Sequence, residues 1–361
     1  NLQLQPVGGS VSGQDPALPE PIHLDLELED ETVIRAVPSI GYVHRGLEKL
    51  AENHDYEQMT YIMERVCGIC SFGHSYGYTG AMEGLMDIEI PDRARYLRVI
   101  FLELSRVHSH LLWLGLLADA FGFDSLFMHC WRIREKVLDV FEEITGARVV
   151  MSFCKIGGVR RDVSPEMLAK VSGVCDEIED EVRRTGLVFM KDSSIRNRMC
   201  GTGVLSKQEV IDLCAVGPVA RGSGVDNDVR SADPVYRSLG FEPVLRDEGD
   251  CWSRCMVRVD ELIQSMDIIR NTIRSIPGGE FCVPVKGPVP EGDFAFRVEQ
   301  PRGEGFYYVQ GNGTKYLSRA RVRTPTNINI PALVKTLQGC QLQDVTMLVL
   351  TIDPCISCTE R

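Results

Sequence analysis

Asp353-Pro354-Cys355-Ile356-Ser357-Cys358-Thr359-Glu360-Arg361 closes the sequence, directly after the apolar run Met347 to Ile352. That run reads as a buried strand. Terminal segments ordinarily fray, so a C-x-x-C pair delivered there needs something to hold it down. The counterpart is Arg65-Val66-Cys67-Gly68-Ile69-Cys70, which carries the other C-x-x-C of the sequence. Together the pairs can place four thiolates at one site, a donor set that suits zinc, nickel or an iron–sulfur cluster. Spacing alone favours a closed zinc site of four thiolates, with two unrelated thiol pairs as the blander reading. Zinc ribbons, however, keep their pairs close together in Gly-rich knuckles, whereas each pair here abuts a core-like segment. His74 follows Cys70 closely enough to donate to a bound sulfur, and Asp353 puts a carboxylate beside the metal.

The frame between the pairs is that of a globular protein. Of 361 residues, 44% are hydrophobic and 25% charged, enough to bury a substantial core. A formal charge of −12 argues against a nucleic-acid partner, which would call for a basic face. No stretch approaches ~18 consecutive apolar residues, so membrane contact is expected to run through partners. Thirteen cysteines are too sparse for a disulfide scaffold and odd in number, which points to a reducing interior.

Residues 1–20, rich in Gly, Pro and Ser, read as an irregular lead-in. Ile22, Leu24, Leu26 and Leu28 alternate with polar residues, and Thr32-Val33-Ile34 begins a returning strand. From Val43 the pattern turns helical, with a helix over Tyr56 to Arg65 leading into the first C-x-x-C. After Pro91-Asp92, apolar residues recur at three or four from Leu97 to Leu117, predicting a helix of ~28 residues buried on most sides near its end. Further helices are expected over 129–145, stopped by Gly146, and from Ser164-Pro165 to about Thr185, stopped by Gly186. A capping box opens at Ser206 and Glu209, and helices follow from Asp260 to Ser275 and over 326–338. Residues 217–250 read as loop, and 276–314 as turns and short strands. The expectation is a single domain, mainly α with a small N-terminal β-sheet (1–40), a helical core (41–275) and a mixed segment (276–361).

Arg65-x-Cys67-Gly68-Ile69-Cys70-x-x-x-His74 and Asp353-Pro354-Cys355-x-x-Cys358-x-x-Arg361 resemble the two signatures of the NiFe-hydrogenase large subunit. The stretches Tyr42–Leu50 and Arg106–Leu112 look like its energy-converting, membrane-associated branch, which includes Ech-type, CO-induced and formate-hydrogenlyase enzymes. That branch is homologous to the 49-kDa-type subunit of respiratory complex I, which lacks the cysteine pairs. The resemblance implies a large-subunit fold with a long-helix bundle core and a Ni–Fe centre whose iron carries CO and cyanide. Cys67 and Cys355 would be terminal nickel ligands, with Cys70 and Cys358 bridging to iron. It implies that Arg302, in Pro301-Arg302-Gly303, lies over the metals, oriented by Asp353. Arg323-Thr324-Pro325-Thr326 would bond the cyanides, and Glu20 would relay protons, although Asp15 stands where relatives usually have His. His44, His108 and His110 are further candidates for a proton path or an interface. Glu48 falls where relatives hold Mg2+ with a terminal His; here Arg361 stands in that place, and a guanidinium is no ligand.

The function so implied is 2H+ + 2e− ⇌ H2. No spare cysteine run remains for iron–sulfur clusters, so a small subunit carrying a 4Fe–4S cluster is expected as partner, with ferredoxin as electron donor. Further hydrophilic and integral membrane subunits would couple the reaction to ion translocation from a cytoplasmic, peripheral position on the inner face of the cell membrane. In the family a precursor tail is cut three residues beyond the last cysteine, which Arg361 matches. The rival readings are a metal-free, complex I-like quinone-site or structural subunit and a zinc-stabilised binding protein.

Overall fold

A computed structural model of the chain describes residues 22–361 and the backbone of two short strands, Leu2–Pro6 and Val11–Gly13. These strands join His23–Glu29 and Thr32–Ser39 in a four-stranded sheet, with Leu2–Pro6 running parallel to His23–Glu29. The alternation read from Ile22 to Leu28 is physical: Leu24, Leu26 and Leu28 are buried.

The long helix spans Asp92–Ala120, 29 residues, and most of its circumference is buried. It packs against helices Asp124–Thr145 and Cys251–Ser275, and Pro165–Lys191 completes the layer on Cys251–Ser275. Local signals explain the boundaries. Gly146 ends its helix in the left-handed region at φ 81°, Ser164 caps the next with Pro165 at its first position, and Ser206 with Glu209 forms the capping box. Pro331 sits inside helix Pro325–Leu337, in keeping with the helix expected over 326–338.

The lead-in over residues 1–20 is not irregular throughout, since Leu2–Pro6 and Val11–Gly13 are strands, and three further expectations are corrected. Met347–Ile352 is not a strand: Val345–Thr351 forms a helix buried on nearly every side, and so short an apolar run carries no periodicity to distinguish the two. Its last carbonyls are capped from other elements, Trp113 Nε1 donating to Leu350 O at 2.7 Å and Arg258 Nη2 to Thr351 O at 3.1 Å. Gly186 does not stop its helix, which runs on to Lys191; a Cβ there would lie 2.6 Å from Val259 Cγ1, so this glycine permits close helix packing instead. The helix expected from Asp260 begins at Cys251, where Asp250 caps it through Ser253 N–H at 2.7 Å. Besides the N-terminal sheet, Gly292–Gln300, Gly303–Gly311 and Leu317–Arg323 form a three-stranded antiparallel sheet against helix Ser71–Leu85. No helix among the described residues is long and apolar enough to cross a membrane.

Candidate metal centre

Each C-x-x-C sits at the start of a helix. Cys70 precedes Ser71–Leu85 and Cys355 precedes Ile356–Glu360. Within each pair the second cysteine's N–H donates to the first one's sulfur at 3.4 Å, from Cys70 to Cys67 and from Cys358 to Cys355. Asp353, at φ 55°, makes the left-handed turn that swings Pro354 and Cys355 inward.

The two loops meet in the core. Cys355 Sγ is 3.2 Å from Cys67 Sγ, and the sulfurs of Cys67, Cys355 and Cys358 all lie within 4.8 Å of one another. Cys70 is buried beside them, its sulfur accepting from Arg302 Nη1 at 3.2 Å. Burial and then the neighbouring sulfurs push the Cys358 thiol well above its ordinary value, the effect of sulfur donors crowded together out of water. A soft metal ion relieves that crowding, and the donor set therefore fits one.

Arg302 is bound on every side that faces the site. Its Nε donates to Asp353 O at 2.9 Å, Nη1 to Ser109 Oγ at 3.3 Å, and Nη2 pairs with Asp353 Oδ1 at 2.8 Å. Burial opposes its charge, but Asp353 and then the cysteine sulfurs outweigh that and hold the guanidinium firmly charged. Asp353 Oδ2 is buried with no hydrogen-bond partner among the described residues, an acceptor left over beside the sulfurs.

A directed chain supports the far side. Gln300 Nε2 donates to Tyr307 Oη at 2.7 Å, so the Tyr307 hydroxyl donates to His74 Nδ1, also at 2.7 Å. His74 Nε2 is thereby left with its proton to give to Cys358 Sγ at 3.3 Å. Burial lowers the His74 pKa to about 4, which keeps the ring neutral.

The hydroxyls of Thr324 and Thr326 hold the second loop: Thr324 Oγ1 donates to Cys358 O at 2.9 Å, and Cys355 N–H donates to Thr326 Oγ1 at 3.1 Å. Pro301 and Pro325 are buried as well. The Arg323 side chain turns outward, over the Phe306 ring and toward Glu304. Glu48 is fully engaged: Oε1 accepts from Val322 N–H and Arg361 Nε, and Oε2 from Arg321 Nη1 at 3.2 Å. Two guanidiniums already compensate that carboxylate, so its surroundings do not fit a Mg2+ ion. Glu20 and Asp15 lie outside the described residues. His44 reaches Glu360 O, and His108 accepts from Arg134 Nε at 2.9 Å. His110 pairs with Glu261 at 2.8 Å.

Sequence reasoning passed over Gln300 and Tyr307, which sit in strands without a local motif. Arg45 fell within the Tyr42–Leu50 stretch and was given no role of its own. Arg45 donates to Arg65 O and Val66 O, each at 2.8 Å, and to Ser357 O at 3.2 Å, pinning both cysteine loops with one side chain.

Residues 120–287 and 282–361 match the family model of the respiratory-chain NADH dehydrogenase 49-kDa subunit, and residues 45–119 match that of nickel-dependent hydrogenases. One cysteine pair thus falls in each match. The chain is 40% identical to the carbon monoxide-induced hydrogenase of Rhodospirillum rubrum, over 96% of both chains. It is 37% identical to the membrane-bound hydrogenase subunit alpha of Pyrococcus furiosus, over 96% of this chain and 85% of that one. It is also 34% identical to an NADH-quinone oxidoreductase subunit of Rhizobium etli, over 96% of this chain and 94% of that one.

Proposed function

The chain belongs to the family that joins nickel-dependent hydrogenase large subunits to the 49-kDa subunit of complex I, and on that premise we propose that it is the catalytic subunit of an energy-converting NiFe hydrogenase. The reaction is 2H+ + 2e− ⇌ H2. The observation that carries the reading is the convergence of four buried thiols under the Arg302–Asp353 pair. Cys67, Cys70, Cys355 and Cys358 would hold the Ni–Fe centre, with CO and cyanide on iron. When bound, that centre supplies the open soft-metal coordination at which H2 is cleaved or formed.

The chain's own residues do the rest. Arg302 holds a fixed positive charge over the site, and Asp353 both locks that guanidinium and offers Oδ2 as a spare acceptor. His74 steadies the Cys358 sulfur with a neutral N–H donor. In the Arg323–Thr326 stretch, Thr326, whose hydroxyl accepts from Cys355 N–H, would offer its own proton to a cyanide, while Thr324 gives its proton to Cys358 O and Pro325 has no N–H to give. Glu20 is the proposed proton relay. A cluster-bearing small subunit, ferredoxin and membrane subunits are the proposed partners, placing the chain peripherally on the cytoplasmic face. The names of the Rhodospirillum and Pyrococcus relatives support the coupling to hydrogen and to a membrane.

Metal analysis and infrared spectroscopy of the purified complex test this. About one nickel per chain together with CO and cyanide bands is expected, and Cys355→Ser should abolish both the metal and H2 activity. Zinc alone would transfer the chain to the structural-zinc reading, and no metal at all to the quinone-site reading.

A further inference from the structure

Beside the metal pocket lies a second polar assembly that the proposed reaction leaves unused. Four carboxylates (Glu103, Asp228, Glu261 and Glu299) are interleaved with three guanidiniums (Arg106, Arg221 and Arg230), every side chain at most 1% exposed. Arg221 Nη1 donates to Glu299 Oε1 and Nε to Glu261 Oε1, at 2.7 and 2.9 Å. Arg230 Nη2 donates to Asp228 Oδ2 at 2.7 Å, and Arg106 Nε to Glu103 Oε2 at 3.2 Å. His110 touches Glu261 from the long helix.

The charges do not balance. With all four acids ionised these seven groups carry one more negative than positive charge among side chains that are almost fully buried, an arrangement that favours taking up a proton. His110 is a poor taker, since burial brings its pKa to about 4. Arg258, on the Glu261 helix, is directed at Thr351 O, and its stronger charge partner is Asp353, with Glu261 the weaker one. Glu103 and Asp228 are each held below their usual range by adjacent arginines despite burial. Glu299 is the acid that rises, through burial and the charge of Asp228, with Arg221 and Arg106 insufficient to hold it down. Glu299 is also the one of the four acids that lines a cavity of about 360 Å3, shared with Tyr76, Arg98, Arg230, Tyr236 and the exposed Phe294. Arg98 there is neutralised by Glu83, and Arg95, Asp233 and Arg297 stand on the same wall.

We propose that this cluster holds one exchangeable proton on Glu299, loaded from water in the cavity, as a proton reserve for the metal centre. Uptake breaks an O–H bond of hydronium and makes one on the carboxylate, with no electron moved. Proximity to the centre is structural: Arg106 donates to the carbonyls of Glu299 and Gln300, immediately before Pro301-Arg302, and Ser109 beside His110 receives Arg302. The use of the proton rests on the hydrogenase reading; its existence does not.

Infrared titration of the purified complex in H2O and D2O tests both parts. A protonated-carboxyl band that shifts in D2O is expected in the wild type and absent in Glu299→Gln, an isosteric change that balances the cluster. H2 evolution in that variant should fall about tenfold or more, with an enlarged solvent isotope effect and partial recovery in Glu299→Asp. Absence of the band, its survival in Glu299→Gln, or a stability that follows sodium concentration in place of pH overturns the proposal. A normal band with unchanged H2 evolution overturns the reserve role. A normal band in a complex that neither makes nor consumes H2 supports the proton and sinks the hydrogenase reading.

Discussion

At the scale of single residues, the site depends on groups that hold other groups. Tyr307→Phe removes the donor that fixes the His74 tautomer, and loss of such support weakens metal sites by roughly 10–100-fold. A lower nickel occupancy with an unchanged circular dichroism spectrum is the expected result, read by metal analysis. Burial also sets a pH limit. The folded pKa of His110, about 4, lies below its ordinary value of 6.5, so the unfolded chain binds the extra proton. That contribution to stability is complete above the unfolded pKa and is lost as pH falls from 6.5 toward 4, by up to about 3 kcal/mol. Urea unfolding at about pH 7 and about pH 5 should show the loss in wild type and a smaller one in His110→Gln. Among the thirteen cysteines, Cys200 and Cys214 are exposed, and these two should be alkylated rapidly in the native protein, as counted by mass spectrometry. The four cysteines of the pocket were legible because C-x-x-C is a local pattern. Gln300, Tyr307 and Arg45 were not, because their role exists only once distant segments meet.

At the scale of elements, helix Ser71–Leu85 shows how a costly composition builds the site. Gly77 and Gly80 face the three-stranded sheet, where an added Cβ would fall 2.1 Å from the Tyr307 ring and 2.7 Å from that of Phe296. Each glycine weakens the helix by about 1 kcal/mol, yet their absence of side chains lets the strand bring Tyr307 up to His74. Gly77→Ala should therefore destabilise by about 1–3 kcal/mol despite its better helix propensity, and should release metal as well, measured by unfolding and nickel content together. Capped, amphipathic helices such as Pro165–Lys191 could be read from local chemistry at their starts. The helix Val345–Thr351 could not, because burial on all sides erases the very alternation that identifies an element.

For the whole molecule, a shared metal is a cross-link between Cys67 and Cys355, 288 residues apart. Closing a loop of that length removes about 5.7 kcal/mol of unfolded-state entropy on the chain-entropy relation for cross-links. For a chain of 361 residues that corresponds to roughly 7–8 °C in Tm. Calorimetry of the metal-loaded protein and of a metal-free preparation should differ by at least this amount; equal Tm values would mean that the loops are held by protein contacts alone, Arg45 foremost. The juxtaposition of the two cysteine pairs was foreseeable from their donor chemistry. The buried cluster around Glu261 was not, since its members are drawn from separate helices, loops and a strand and share no spacing.

The separation of those pairs also imposes an order in time. During synthesis at ~5–20 residues per second, the Cys67 loop leaves the ribosome tens of seconds before Cys355 can join it. Until then Cys67 and Cys70 wait without their partners, and a metal delivered early would find only half a cage. On the proposed function, a complete cage awaits the emergence of Cys355 and Cys358, and a truncated messenger ending before Asp353 should yield a protein that never retains nickel.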